Sequence, residues 1–176
     1  MDAAYSFSRS VLEPTRTYTL ESGRIVVEGG GLPARIYPLT DVRKVHLKYE
    51  HTKQREYYQC FIHTARGRIS LRHVHYVSFG KFEDRRATYT PFVKAVLAAL
   101  APLPGVQYRA GSIANFIGAI VGAPVMAGLV WICLNAGRLG LALFAAAMGG
   151  LAMWMIPRSR PRAFDPLAPP EDLLPD

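Results

Sequence analysis

The sequence predicts a mainly β domain closed by one α-helix and followed by a two-helix transmembrane hairpin. Three observations predict it. Residues 15–88 alternate between apolar and polar side chains, with turn residues between the runs. The stretch after Thr90 changes to helical spacing, and residues 112–134 and 139–156 are two uncharged apolar runs. A period of two marks a strand with one buried face, and a period near 3.6 marks an amphipathic helix.

Residues 1–14 are expected to be an N-terminal extension. MDAAYSFSRSVLEPTR contains no apolar stretch of signal-peptide length. The β region then opens with TYTL and RIVVE around Ser22-Gly23, the signature of a tight hairpin. Gly29-Gly30-Gly31 marks a second turn into a short strand near ARIYP. It lacks the following Lys-Ser/Thr of a phosphate-cradling loop and reads as a turn. Pro38 to Asp41 is a third break. In KVHLKYE, residues 44–50, Val45, Leu47 and Tyr49 face one way, and Lys44, His46, Lys48 and Glu50 the other. EYYQCFIHT and RISLRHV flank the turn Ala65-Arg66-Gly67, giving about six or seven strands in a meander. TYTPFVKAVLAALA is the closing helix, with Thr90 as its cap and Pro91 in its first turn. Phe92, Val93, Val96, Leu97 and Leu100 form its apolar face, and Pro102 and Pro104 end it.

This order of elements resembles a pleckstrin-homology-like (PH-like) domain, here over residues 15–101. With two apolar helices behind it, the chain resembles the bacterial membrane proteins that carry such a domain on the cytoplasmic side. The residues that carry the resemblance are the hairpin at Ser22-Gly23, the segment RIYPLTDVRKVHLKY and the helix after Thr90. The resemblance implies an antiparallel β-sandwich or barrel capped by one C-terminal helix. Relatives that bind phosphoinositides use a basic first hairpin with a longer loop. The short turn here contains Glu21, so that ligand is not carried over.

A linker, residues 102–110, leads to the hairpin, residues 111–157. Ser112–Leu134 is 23 residues, about 34 Å as a helix, and Leu139–Ile156 is 18 residues, about 27 Å, both within the range that spans a bilayer. Neither run has the polar stripe of a soluble helix. Trp131 and Trp154 fall at opposite ends of the hairpin, where indole rings favour the interface. Gly118 and Gly122, and Ala142, Ala146 and Gly150, repeat at the four-residue spacing that lets helices approach closely in lipid, although small residues are common in such helices anyway.

Residues 1–110 hold 17 Lys/Arg against 9 Asp/Glu, and residues 111–176 hold 4 of each, so the net +8 belongs to the first part. Arg109, Arg158, Arg160 and Arg162 flank one end of the hairpin and Arg138 alone the other. The positive-inside rule then predicts an inner (plasma) membrane protein with both termini cytoplasmic. Cys60 and Cys133 suggest no disulfide. The Pro-rich tail, residues 158–176, is expected to be disordered by default, with EDLLPD either a docking motif or a segment that folds back.

No nucleophile elbow, zinc spacing or phosphate loop is present. Neither apolar run contains an acid, lysine or histidine for a proton or ion path. Glu83-Asp84, flanked by Lys81, Arg85 and Arg86, reads as solvated ion pairing. His73 and His75, two apart, would share a face if in one strand and could hold a metal; without a nameable third ligand they read first as ordinary histidines. Lys48, Lys53, Arg55, Arg66 and Arg68 form a candidate surface for anionic lipid headgroups or a partner, or else a solvated basic face. Tyr57, Tyr58 and Phe61 could interleave with these charges in a nucleic-acid surface, but they also fit a sandwich core; nucleic acid is the weaker option and is not expected as a partner. The sequence thus points to a non-catalytic module without cofactors that presents its domain to a protein, a second copy or lipid. The alternatives are an accessory subunit of a larger membrane complex and a small metal-dependent enzyme or sensor.

Overall fold

A computed structural model describes residues 3–8, 10, 12–51 and 56–174. The chain divides into two units, Met1–Ala110 with Ala163–Asp176, and Gly111–Arg162.

The first unit is β-rich. Strands β1 (Ala3–Phe7), β2 (Arg16–Glu21), β3 (Arg24–Gly29) and β4 (Leu32–Pro38) form an antiparallel sheet in that order. Glu21 pairs with Arg24. Ser22 and Gly23 between them have φ of 33° and 81°, the two positive values that a two-residue hairpin needs to match strand twist. A short helical turn, Leu39–Asp41, leads into β5 (Val42–His51), β6 (Glu56–Thr64) and β7 (Gly67–Arg72). A hairpin of β8 (Val74–Ser78) and β9 (Lys81–Asp84) follows, then α1 (Arg86–Leu100) and β10 (Gln107–Ala110). Strand β10 pairs parallel to β5, and with β11 (Arg162–Ala163) the second sheet runs β11-β10-β5-β6-β7.

The inward residues of both sheets and one face of α1 share a core. Val45, Leu47 and Tyr49 are buried as alternation requires, and so are Phe92, Val93, Val96, Leu97 and Leu100 on α1. Burying each such aliphatic side chain contributes about 1.5–3 kcal/mol. Cys60 lies in this core, where burial pushes its thiol up to about 12.

Four boundaries of this unit differ from expectation. The N-terminal extension supplies β1, whose Tyr5 and Phe7 are buried and stack at 5.6 Å. The linker contains β10. Helix α1 starts at Arg86, one turn before the expected Thr90 cap. Asp84 Oδ1 accepts from the Arg86 N–H at 3.0 Å and organises that turn, so Pro91 lies inside the helix and Thr90 is buried. The tail is ordered through residue 174. Phe164 meets Tyr108 edge-on at 5.8 Å, and Leu173 and Leu174, 1% and 2% exposed, complete the core.

The second unit is α2 (Ile113–Asn135) and α3 (Leu139–Ser159), both long and apolar enough to cross a membrane. Their outer surfaces are largely exposed, with 6% and 11% of the apolar windows buried. Helix α3 runs three residues past Ile156, taking Pro157 into its last turn. Ala119, Ala142 and Ala145 are buried, and a Cβ on Gly149 would lie 3.3 Å from Met126 Cβ. Gly118, Gly122 and Gly150 face open space, and Ala146 is exposed. The Ser112 N–H donates to the Ser159 carbonyl at 2.9 Å, joining the two ends of this unit. Gly111 beside it has φ of 85°, and a Cβ there would lie 2.3 Å from the Arg160 carbonyl oxygen.

Candidate anion-binding surface

Register decides what the outer face of the second sheet carries. Lys44, His63 and Arg68 lie side by side across β5, β6 and β7, with Gln107 of β10 beside Lys44. The next row is Arg109, His46, Phe61 and Ser70, and the third is Lys48, Gln59 and Arg72. Alternate residues of a strand share a face, so all three rows project away from the core side of Val45, Leu47, Cys60, Ile62, Ile69 and Leu71. The face holds Lys44, Lys48, Arg68, Arg72 and Arg109 against one acid, Glu50, paired across from Tyr57.

Glu50 is internally neutralised. Lys48 Nζ donates to its Oε1, and Gln59 Nε2 donates to its Oε2 at 2.8 Å. Among the described residues Lys44, Arg68, Arg72 and Arg109 have no acidic partner within salt-bridge distance. The Arg68 guanidinium lies over the Phe61 ring at 5.1 Å, an attraction between a cation and the negative ring face. Desolvation, then Lys44, Arg68 and His46, hold the His63 imidazole below its ordinary range. The face is therefore cationic without help from histidine at neutral pH.

Of the residues expected from sequence, Lys48 and Arg68 lie on this face. Arg66 lies at the β6–β7 turn and pairs with Asp41 at 2.9 Å. Lys53 and Arg55 lie outside the described residues. Lys44, Arg72 and Arg109 join instead. Lys44 was legible, because KVHLKYE puts it on the side of Lys48. Arg72 follows from extending the alternation of RISLR. Arg109 depends on the pairing of β10 with β5, for which four residues give no local signal.

His73 and His75 do different work. His73 is buried at the break between β7 and β8, and its Nδ1 accepts from the Tyr58 N–H at 3.1 Å. His75 Nδ1 accepts from the Ser8 N–H at 2.8 Å. Each ring serves a backbone donor. Among the described residues no three His, Cys, Asp or Glu side chains are grouped to hold a metal ion. Glu83 holds Arg85 through both guanidinium Nε and Nη2, at 3.2 and 2.8 Å, which lowers its carboxyl pKa. Asp84 pairs with Arg86 at 3.0 Å.

Comparison of the chain with known protein families, with curated proteins and with solved structures finds no match.

Proposed function

We propose that the protein is a non-catalytic interaction module anchored in a bacterial inner membrane. Its PH-like cytoplasmic domain contacts anionic lipid headgroups through the outer face of β5, β6, β7 and β10. A four-stranded sheet, a second sheet built on β5–β7 and a helix after them are the elements a PH-like domain requires. Residues from before and after the apolar helices share one domain core, which supports a hairpin with both ends on the same side. The charge asymmetry around Arg138 supports the cytoplasmic side for that domain.

The observation that carries the reading is the basic face on the strand that leads into the membrane. Arg109 is four residues before Ile113, so the chain keeps it within about 14 Å of the start of α2. Each Lys or Arg near an anionic surface contributes about 1 kcal/mol, and the attraction fades within a Debye length. The test is reconstitution in zwitterionic vesicles and in vesicles containing phosphatidylglycerol, with lysine acetylation rates read by mass spectrometry. Lys44 and Lys48 should be acetylated several-fold more slowly in the anionic vesicles, with recovery at high salt and Lys81 unchanged. Equal rates for Lys44 and Lys48 in both would remove the headgroup reading.

The open space at Gly118 and Gly122 favours a second reading, an accessory subunit whose α2 packs on a partner helix. A cysteine at Gly118 should then crosslink in native membranes to one stoichiometric partner. A ladder of unrelated products would dismiss it.

A further inference from the structure

The third row of the outer sheet face borders a cavity. It has a volume of about 240 Å³ and lies between the third row of the face and the β8–β9 hairpin. Glu50, Tyr57, Gln59 and Arg72 line it from the sheet, and Tyr76 and Phe82 from the hairpin. Tyr76 and Phe82 meet edge to face at 5.4 Å. The two strands that carry them are paired directly at that point.

The charges in this cavity do not balance. Glu50 is satisfied by Lys48 and Gln59, and Gln59 is itself buried, 2% exposed. Arg72 has no side-chain hydrogen bond or ion pair among the described residues, and its Nε is buried without a partner. A buried donor left unmade is unfavourable, more so on a charged group. A guanidinium presents a planar fork of donors that matches a carboxylate in two parallel bonds. The aromatic rings around it favour a flat apolar body over a hydrated one. The space exceeds the roughly 150 Å³ of an engineered apolar cavity that takes up benzene, enough for one ring and its acidic group.

We propose that this cavity is a binding site for a small aromatic carboxylate. The carboxylate pairs with Arg72 and the ring packs among Tyr57, Tyr76 and Phe82. Gln59 and Glu50 form the polar floor, and Lys48 keeps that floor from repelling the anion. The site shares Arg72 and Lys48 with the basic face, but it needs neither a membrane charge nor Lys44 or Arg109.

The test uses the full chain in nanodiscs of zwitterionic lipid, with empty nanodiscs as the blank. Benzoate, phenyl phosphate and cyclohexanecarboxylate are titrated by calorimetry. Benzoate should bind saturably, and cyclohexanecarboxylate more weakly. Arg72→Gln should weaken benzoate at least tenfold, and Arg72→Lys, which keeps the charge but loses the fork, by less. Tyr76→Ala should weaken benzoate while leaving the guanidinium in place. Arg35→Gln, on the other sheet and outside the cavity, should leave binding unchanged. Unchanged melting of each variant shows that it is folded. Saturable binding of phenyl phosphate alone would overturn the carboxylate assignment in favour of a phosphate head. Absence of saturable benzoate binding, or equal binding by wild type and both Arg72 variants, would overturn the site.

Discussion

Replacing Leu173 by alanine tests whether the tail belongs to the domain. Leu173 is 1% exposed and lies in the core cluster with Leu174. Truncating a buried leucine costs about 2–5 kcal/mol, depending on how far the site collapses. The loss can be taken in two ways. If the tail stays docked, the whole domain loses that amount, and a domain of this size should melt lower by about 6 °C or more, at roughly 3–6 °C per kcal/mol. If the tail lets go first, the docking equilibrium itself shifts, by a factor of roughly 30 or more for 2 kcal/mol. Thermal melting and hydrogen exchange of residues 163–174, both on the full chain in nanodiscs, distinguish the two. Leu167→Ala is the control, because Leu167 lies in the same tail but is 72% exposed, and it should be silent in both measurements. Leu173→Ala with unchanged melting and unchanged exchange would refute the ordered tail.

Other outcomes follow from the same structure. Burial is the leading cause that lowers the pKa values of His63, His73 and His75 in the fold, so protons bind the unfolded chain in preference. Stability is then full above the ordinary value of 6.5 and falls as pH drops below it, so melting should decline from about pH 7 to pH 5, and His73→Gln should flatten the decline. Gly111→Ala places a side chain at positive φ against the Arg160 carbonyl, and should loosen the Gly111–Arg162 unit by about 1–2 kcal/mol or more, read as faster exchange at the Ser112 N–H. A reporter inserted at Gly137 should appear outside the cell and one at the C-terminus inside. Both on one side would refute the hairpin.

Much of the first unit was readable because its signals are local. KVHLKYE sorts its own side chains, Ser22-Gly23 names its own turn, and the apolar face of α1 repeats at its own period. What escaped was non-local. Strand β10 exists because four residues pair with β5 about sixty positions earlier in the chain. The tail looked disordered because five prolines dominate its composition, yet three side chains, Phe164, Leu173 and Leu174, hold it to the core. The start of α1 was misplaced because Thr90-Pro91 imitates a helix start, whereas the Asp84 side chain organises one earlier. The basic face was half legible, since alternation sorts Lys44, Lys48 and Arg68, but only pairing brings Arg109 beside them. The Arg72 cavity could not be read, because one wall comes from a hairpin whose packing on the sheet leaves no mark in either segment.

The position of Leu173 and Leu174 also sets a schedule for biosynthesis. The ribosome must make the 52 residues from Gly111 to Arg162 before it delivers the two leucines that complete the core. At about 5–20 residues per second that is a delay of roughly 3–10 s. Completion of the domain core therefore waits until both apolar helices have been synthesised. A nascent chain stalled before residue 163 lacks Leu173 and Leu174, so the core it displays is unfinished.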